Sequence, residues 1–213
     1  MLTEYRNEAL TDFSDPQNIA QFKAALDKVK NEYLGHTYPL IIGGKEVTTA
    51  NTFDSVNPAR PDEVLGTFAD ATADHADMAI EAAYEAFQSW QHTPAEERAR
   101  YLLKVAAEMR RRKHEFSAIM VLEVGKSWVE ADADTAEAID FLEYYARQMV
   151  RIADSSHQLH ESPLEEQLDY RYIPLGVGAV IPPWNFCNAI LTGMTSATIV
   201  SGNTAVLKPA EQS

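Results

Sequence analysis

Apolar positions near the start of the chain recur at alternating spacings of three and four. Ile19, Phe22, Leu26, Val29 and Tyr33 make one stripe, the period of a helix with a single buried face. Asp15 followed by Pro16 supplies its N-cap and first turn, and Gly35 its stop. In "YPLIIGGKEV" two short apolar runs flank Gly43-Gly44, which predicts a β-hairpin. "NPARPDEVLGTF" adds a proline-marked turn and one short strand.

From Thr72 the period returns to helical. Ile80, Ala83, Phe87 and Trp90 share one face, and Thr93-Pro94-Ala95-Glu96 reads as a capping box with proline at the first helical position. The helix it opens should run to about Arg112. A shorter helix carries Phe116, Ile119 and Met120 and stops at Gly125. A longer one spans Ser127 to Ala153, with Val129, Ala133, Ala136, Phe141 and Tyr144 among its apolar positions.

After Gly176 the texture changes. "VGAVI" is a continuous apolar run, the signature of a strand buried on both faces. "NFCNAILTGMTSATIVS" reads as a helix closed by Gly202-Asn203, and "TAVLK" as a second apolar strand. Strand, helix, strand over about 30 residues is a βαβ unit and implies a parallel sheet. The expected fold is α/β, a Rossmann-type parallel sheet with flanking helices. That sheet is incomplete in this pattern, because a second crossover helix is due at Ser213. The sequence therefore reads as the front part of a longer protein.

Composition narrows the class. With 46% hydrophobic and 23% charged residues, the chain is ordinary for a globular protein. A formal charge of -14 argues against nucleic acid, which needs a basic surface. The basic run Arg110-Arg111-Arg112-Lys113 is explained by a helix C-terminus facing water. One cysteine suits a reducing, cytoplasmic setting. No apolar run is long enough to span a membrane, and "MLTEYRNEALTDF" is too acidic for a signal peptide.

Three motifs are set aside. "VGKS" at 124–127 lacks the glycine that a phosphate-binding loop needs at position 120, which is Met120. Gly125 is better read as a helix C-cap. His157 and His160, with Asp154 and Glu161 nearby, lie in a segment read as extended. There a spacing of three points side chains to opposite faces, so no metal site is expected. Gly176-Val177-Gly178 precedes its strand instead of following it, so it is not a GxGxxG fingerprint.

Ligands of open α/β sheets bind beyond the carboxyl ends of the strands. Here those ends are Ile181-Pro182-Pro183-Trp184-Asn185 and Lys208-Pro209-Ala210-Glu211. The two prolines hold their loop extended and remove backbone donors. Asn185 reads equally as the N-cap of the following helix and as a carboxamide donor to a developing oxyanion. Lys208 and Glu211 stand where a nucleotide-binding βαβ unit contacts a ribose, and a carboxylate there favours NAD over NADP. They are equally readable as exposed charges after a strand.

"IPPWNF" followed by "SGNTAVLKPAE" closely resembles the aldehyde dehydrogenase superfamily. The likeness extends back through "NPARPDEVLG", "EVGKSWVEADADTAEAIDFLEYYA" and "RYIPLGVGAV". It covers about residue 36 onward, more loosely the first 35, and less than half of a family member. The acidic helix and N-terminal extension look most like 1-pyrroline-5-carboxylate dehydrogenases, which oxidise L-glutamate γ-semialdehyde to glutamate. The resemblance implies that Ile181, Pro182, Pro183 and Trp184 line the NAD cleft. It likewise places Lys208 and Glu211 at the adenosine ribose, Asn185 in the oxyanion hole, and Glu137 and Phe186 near the substrate. From the residues alone Glu137 is a solvated acid on a helix.

The same resemblance implies an organisation. Residues 1–35 form a helical extension and 36–156 the first part of the NAD-binding domain. Residues 157–172 form an extended oligomerisation segment, with Ser162 to Tyr172 resembling a subunit-contact strand, and 173–213 start the dinucleotide-binding sheet. A homo-oligomer acting on a small aldehyde is expected. Another NAD-linked semialdehyde dehydrogenase, or a non-catalytic fragment that binds nucleotide, remains open.

Cys187 sits where relatives commonly carry proline, and no histidine base lies nearby in sequence. The family nucleophile and general base come later than this chain reaches. Cys187 is therefore expected to be a packed bystander, and the chain alone to be inactive.

Overall fold

The computed structural model describes residues 3–154, 159–161, 167–169 and 171–213. Asp15 caps α1 (Pro16–Glu32) by accepting the Gln17 N–H at 2.8 Å, and Phe22, Ala25 and Val29 are buried along it. Ahead of α1 the chain is not helical. Residues 3–14 run as an irregular strap against α5 (Trp128–Ala153). The Thr11 N–H and hydroxyl donate to the two Asp132 oxygens at 2.8 and 2.6 Å, and the Glu8 N–H donates to Asp140 at 2.7 Å.

The Gly43-Gly44 hairpin forms as expected between β2 (Leu40–Ile42) and β3 (Lys45–Val47), with φ of 56° and 75° at the two glycines. Glycine adopts that pair of conformations without the steric cost a Cβ would bring. Beside it lies a three-stranded sheet that the hydrophobic pattern undercounted. β5 (Arg60–Ala69) is ten residues long and central, with β4 (Thr52–Asn57) antiparallel on one side and β1 (His36–Tyr38) parallel on the other. "HTY" and "TFDSVN" carry almost no alternation of their own, and pairing with β5 makes them strands.

The helices are α2 (Ala73–Trp90), α3 (Ala95–Arg111), α4 (Lys113–Glu123) and α5. Several details depart from expectation. Thr93 does not form a capping box, because α3 starts after Pro94 without a side-chain cap and the Thr93 carbonyl instead accepts from Arg98. Ile80 lies exposed on α2, whereas Ala83, Phe87 and Trp90 are partly covered. Val129 and Tyr144 are exposed too. The buried face of α5 runs instead through Ala131, Asp132, Asp134, Ala138, Ile139, Leu142 and Ala146. The stripe is misread from hydrophobicity because two aspartates stand on it, each satisfied by partners from other elements.

One core cluster joins Leu102, Ala106 and Met109 of α3 to Ile139, Leu142 and Ala146 of α5 and to Val200. A second joins Ala25 and Val29 of α1 to Leu65 of β5 and Ala118 and Leu122 of α4. β6 (Leu159–Glu161) and β7 (Gln167–Asp169) pair antiparallel. His157 and residues 162–166 and 170 of the expected subunit-contact segment, with the His160 side chain, lie outside the described residues.

The βαβ unit is present: β8 (Val177–Val180), α6 (Ala189–Val200) and β9 (Thr204–Leu207), with the strands parallel and Val180 opposite Leu207. Thr204 donates to the Ala83 carbonyl of α2 at 2.7 Å, while a Cβ on Gly178 would stand 2.8 Å from Thr198 of α6. Successive residues point to opposite faces, so α2 covers one face and α6 the other. The strands are less buried than their composition suggests. Val180 alone is buried, and Ala179 is exposed.

Candidate functional site

The parallel pairing of β8 and β9 puts their carboxyl ends side by side, and the Lys208 N–H donates to the Val180 carbonyl at 2.9 Å. Residues 181–186 and 208–211 therefore meet at one edge. Ile181 and Trp184 are 64% and 55% exposed there, so both offer apolar surface beside the strand ends. Pro183 and Asn185 are also exposed, and Pro182 is buried under them. Lys208 pairs with Glu211 at 3.0 Å, both open to solvent. The hydrogen bond from Lys208, then one from a backbone N–H, holds the Glu211 carboxyl below the usual carboxylate range.

Asn185 is not a helix cap. Residues 185–188 form a turn and α6 begins at Ala189, so Asn188 occupies the capping position, without a capping bond of its own side chain. The cap comes instead from α5. Asp134 Oδ1 accepts the Ala189 N–H at 2.6 Å, and this carboxylate is 0% exposed. A negative charge at a helix N-terminus is favoured by the partial positive charge of the unpaired N–H groups. Its other oxygen pairs with Lys126 Nζ at 2.5 Å. Lys126 in turn stands 4.5 Å from the ring centroid of Phe186. Glu137, one turn beyond Asp134 on α5, is exposed.

Sequence reasoning missed Lys126 and Asp134. Asp134 lies three residues after Ala131 and four before Ala138, so a charge on a buried helical stripe was the available signal. Lys126 was seen only as part of a rejected phosphate-loop pattern.

Burial pushes the Cys187 thiol up to about 11, the nearby Asp134 carboxylate adding to the effect and Lys126 opposing it. A thiol so raised is almost wholly protonated at neutral pH and is a poor nucleophile. Among the described residues no group of three or more His, Cys, Asp or Glu side chains could hold a metal, and no helix is long and apolar enough to cross a membrane.

Two clefts, of about 360 and 490 Å³, lie along the N-terminal strap, away from the strand ends. Several of their cations are already partnered: Arg110 with Glu8 and Glu143, Arg112 with Glu115, Lys113 with Asp132.

The aldehyde dehydrogenase family model matches residues 46–213. The 1-pyrroline-5-carboxylate dehydrogenase of Bacillus licheniformis is 53% identical over 210 residues, covering 99% of this chain and 40% of that protein. The 1-pyrroline-5-carboxylate dehydrogenase 2 of Bacillus subtilis gives the same identity and coverage. Among solved structures, a Thermus 1-pyrroline-5-carboxylate dehydrogenase with bound NAD superposes with a TM-score of 0.91. It is 47% identical, and the match covers 99% of this chain and 40% of that one. The chain spans about two-fifths of the length of the curated relatives it matches.

Proposed function

The chain belongs to the aldehyde dehydrogenase family, and from that premise we propose that it carries the cofactor cleft and oxyanion site of an NAD-dependent enzyme. The reaction is oxidation of L-glutamate γ-semialdehyde to L-glutamate. Identity above half to two 1-pyrroline-5-carboxylate dehydrogenases supports the substrate, and the NAD-bound Thermus relative supports the cofactor. The observation that carries the reading is the meeting of 181–186 and 208–211 at one strand edge, where an open α/β sheet binds its ligand.

The residues present fit a dinucleotide. Exposed Ile181 and Trp184 offer apolar surface to flat rings. The ionised Glu211 carboxylate, held beside Lys208, can accept hydrogen bonds from ribose hydroxyls and would repel a 2′-phosphate. NAD, when bound, supplies the hydride acceptor. This chain's residues hold it, exclude water from the Pro182-Pro183 side and stabilise charge.

Asn185 is placed to donate its carboxamide N–H to the oxygen that becomes negative when the aldehyde is attacked. Because the Asn185 side chain is not engaged as a cap, its donor is free for this role. In this reading the attacking thiolate is not Cys187 but belongs to the remainder of the enzyme. Phe186 and Glu137 face the substrate, the acid pairing with an ammonium group on glutamate semialdehyde. Residues 157–172 mediate contact between copies of the subunit.

The test is N185A in a catalytically complete protein that includes this chain. The kcat should fall about a hundredfold, with NAD affinity unchanged. An unaltered kcat would remove Asn185 from the mechanism. A panel of aldehydes tests the substrate, with glutamate semialdehyde expected to give the highest kcat/KM.

A further inference from the structure

We infer that Lys126 and Asp134 are positioning residues that latch the 184–188 turn, and with it Asn185 and Phe186, against α5. The catalytic meaning of the latch rests on the proposed function, but the latch itself does not.

Beyond the packing of Pro182, Cys187 and Asn188, few hydrogen bonds tie the turn to the rest of the protein. Pro182 and Pro183 contribute no N–H, Asn185 and Phe186 are exposed, and Asn188 makes no side-chain capping bond. Within the turn the chain makes local bonds, Ile190 N–H to Phe186 O at 3.0 Å and Thr192 N–H to Asn188 O at 2.9 Å. These shape the turn without fastening it to the body of the protein. The fastening comes from two anchors, one in the middle of the turn and one just past its end. Lys126 lies over the Phe186 ring at 4.5 Å, and Asp134 holds the Ala189 N–H at 2.6 Å. The anchors are themselves joined by the Lys126–Asp134 ion pair, with side-chain exposures of 14% and 0%.

Lys126 is fixed from behind as well. It follows Gly125, whose φ is 68°, and a Cβ there would stand 3.2 Å from Pro58. A left-handed, closely packed glycine fixes the backbone from which the lysine reaches the turn. A cation–π contact of a desolvated lysine and a buried ion pair each resist removal of one partner.

Cys187 is the sequence's single cysteine and sits inside the turn, so its reaction with a thiol reagent reads turn opening without any turnover. The informative variant is K126M, which keeps the aliphatic stem and deletes the charge. Lys126 lowers the Cys187 pKa, so electrostatics alone make K126M react more slowly. Loss of the latch makes it react faster. We expect Cys187 to be modified about tenfold faster in K126M at pH 8, and K126R to return to the parent rate. Backbone amides over 184–190 should exchange faster by a similar factor, while those of α3 do not change. A K126M rate equal to or below the parent's, with unaltered exchange at 184–190, overturns the proposal.

Should K126M fail to fold, D134A, which removes the Ala189 acceptor together with the ion pair, is judged by exchange alone. Unchanged protection over 184–190 would again overturn the latch. In a complete enzyme K126M should lower kcat but add nothing to N185A, because it acts through that residue. If N185A itself leaves kcat intact, the proposed role of Asn185 fails, and the cysteine and exchange measurements still decide the latch.

Discussion

Arg98, reaching from α3, donates its Nε to the Val200 carbonyl at 2.7 Å and so closes the C-terminal end of the helix that Asp134 opens. The same guanidinium donates to the Thr93 carbonyl, and the residue is buried. α6 is thus clamped at its N-terminus by an acid and at its C-terminus by a base, each sign matching the helix dipole. Replacing Arg98 leaves two carbonyls short of their partner. R98M should cost about 2 kcal/mol of unfolding free energy, measured by urea titration. A change below about 0.5 kcal/mol, the range of ordinary surface substitutions, would mean that water replaces the arginine.

The contact between α5 and α6 depends on the missing side chain of Gly193. A Cβ there would stand 2.9 Å from the Phe141 ring, too close unless the ring or one helix shifts. G193A should destabilise by about 1–3 kcal/mol despite alanine's better helix propensity. The double variant G193A/F141L should recover most of the loss in a thermal melt.

Glu123 at the end of α4 has its pKa raised by burial, only partly offset by the hydrogen bond from Ser55 Oγ at 2.9 Å. A carboxyl raised above its unfolded value favours the fold while protonated. That contribution is present below the unfolded value of about 4.3 and is lost as pH rises through the folded value. Raising the pH therefore costs stability at this site. E123Q should raise the thermal midpoint at pH 7 by about 2 °C, and the gap between variant and parent should close near pH 4. A gap independent of pH would assign the effect to packing instead.

Glu211 and Lys208 are exposed partners at 3.0 Å, and exposed pairs contribute little to stability. E211A should leave the melting curve unchanged yet weaken NAD binding about tenfold and narrow the preference over NADP, read by calorimetry with each nucleotide. Equal affinity for NAD in variant and parent would move the ribose contact elsewhere.

The parts legible in the sequence were those where local chemistry and tertiary need agree. Gly43-Gly44 has to be a hairpin turn because both residues take positive φ. Asp15-Pro16 has to start a helix because the acid accepts the Gln17 N–H and the proline brings no N–H that needs a partner. Apolar "VGAV" and "TAVL" have to be strands because they flank a helix of crossover length. The misreadings fall where the two part company. Thr93-Pro94-Ala95-Glu96 carries the letters of a capping box, but the Thr93 carbonyl is engaged by Arg98 and the helix starts one residue later. Val129 and Tyr144 look like core and face solvent, while Asp132 and Asp134 look like surface and are buried.

What the chain determined by itself was the order of the helices and of the βαβ unit, the strand ends where a ligand would sit, and the family those residues resemble. Periodicity, turn chemistry and short motifs act between near neighbours and can be read along a line. Which residue caps α6 was decided only in three dimensions. The Ala189 N–H and the Asp134 carboxylate are 55 residues apart, and no local pattern links them. They meet because α5 and α6 pack across Gly193 closely enough for a buried charge to find both a helix end and a lysine.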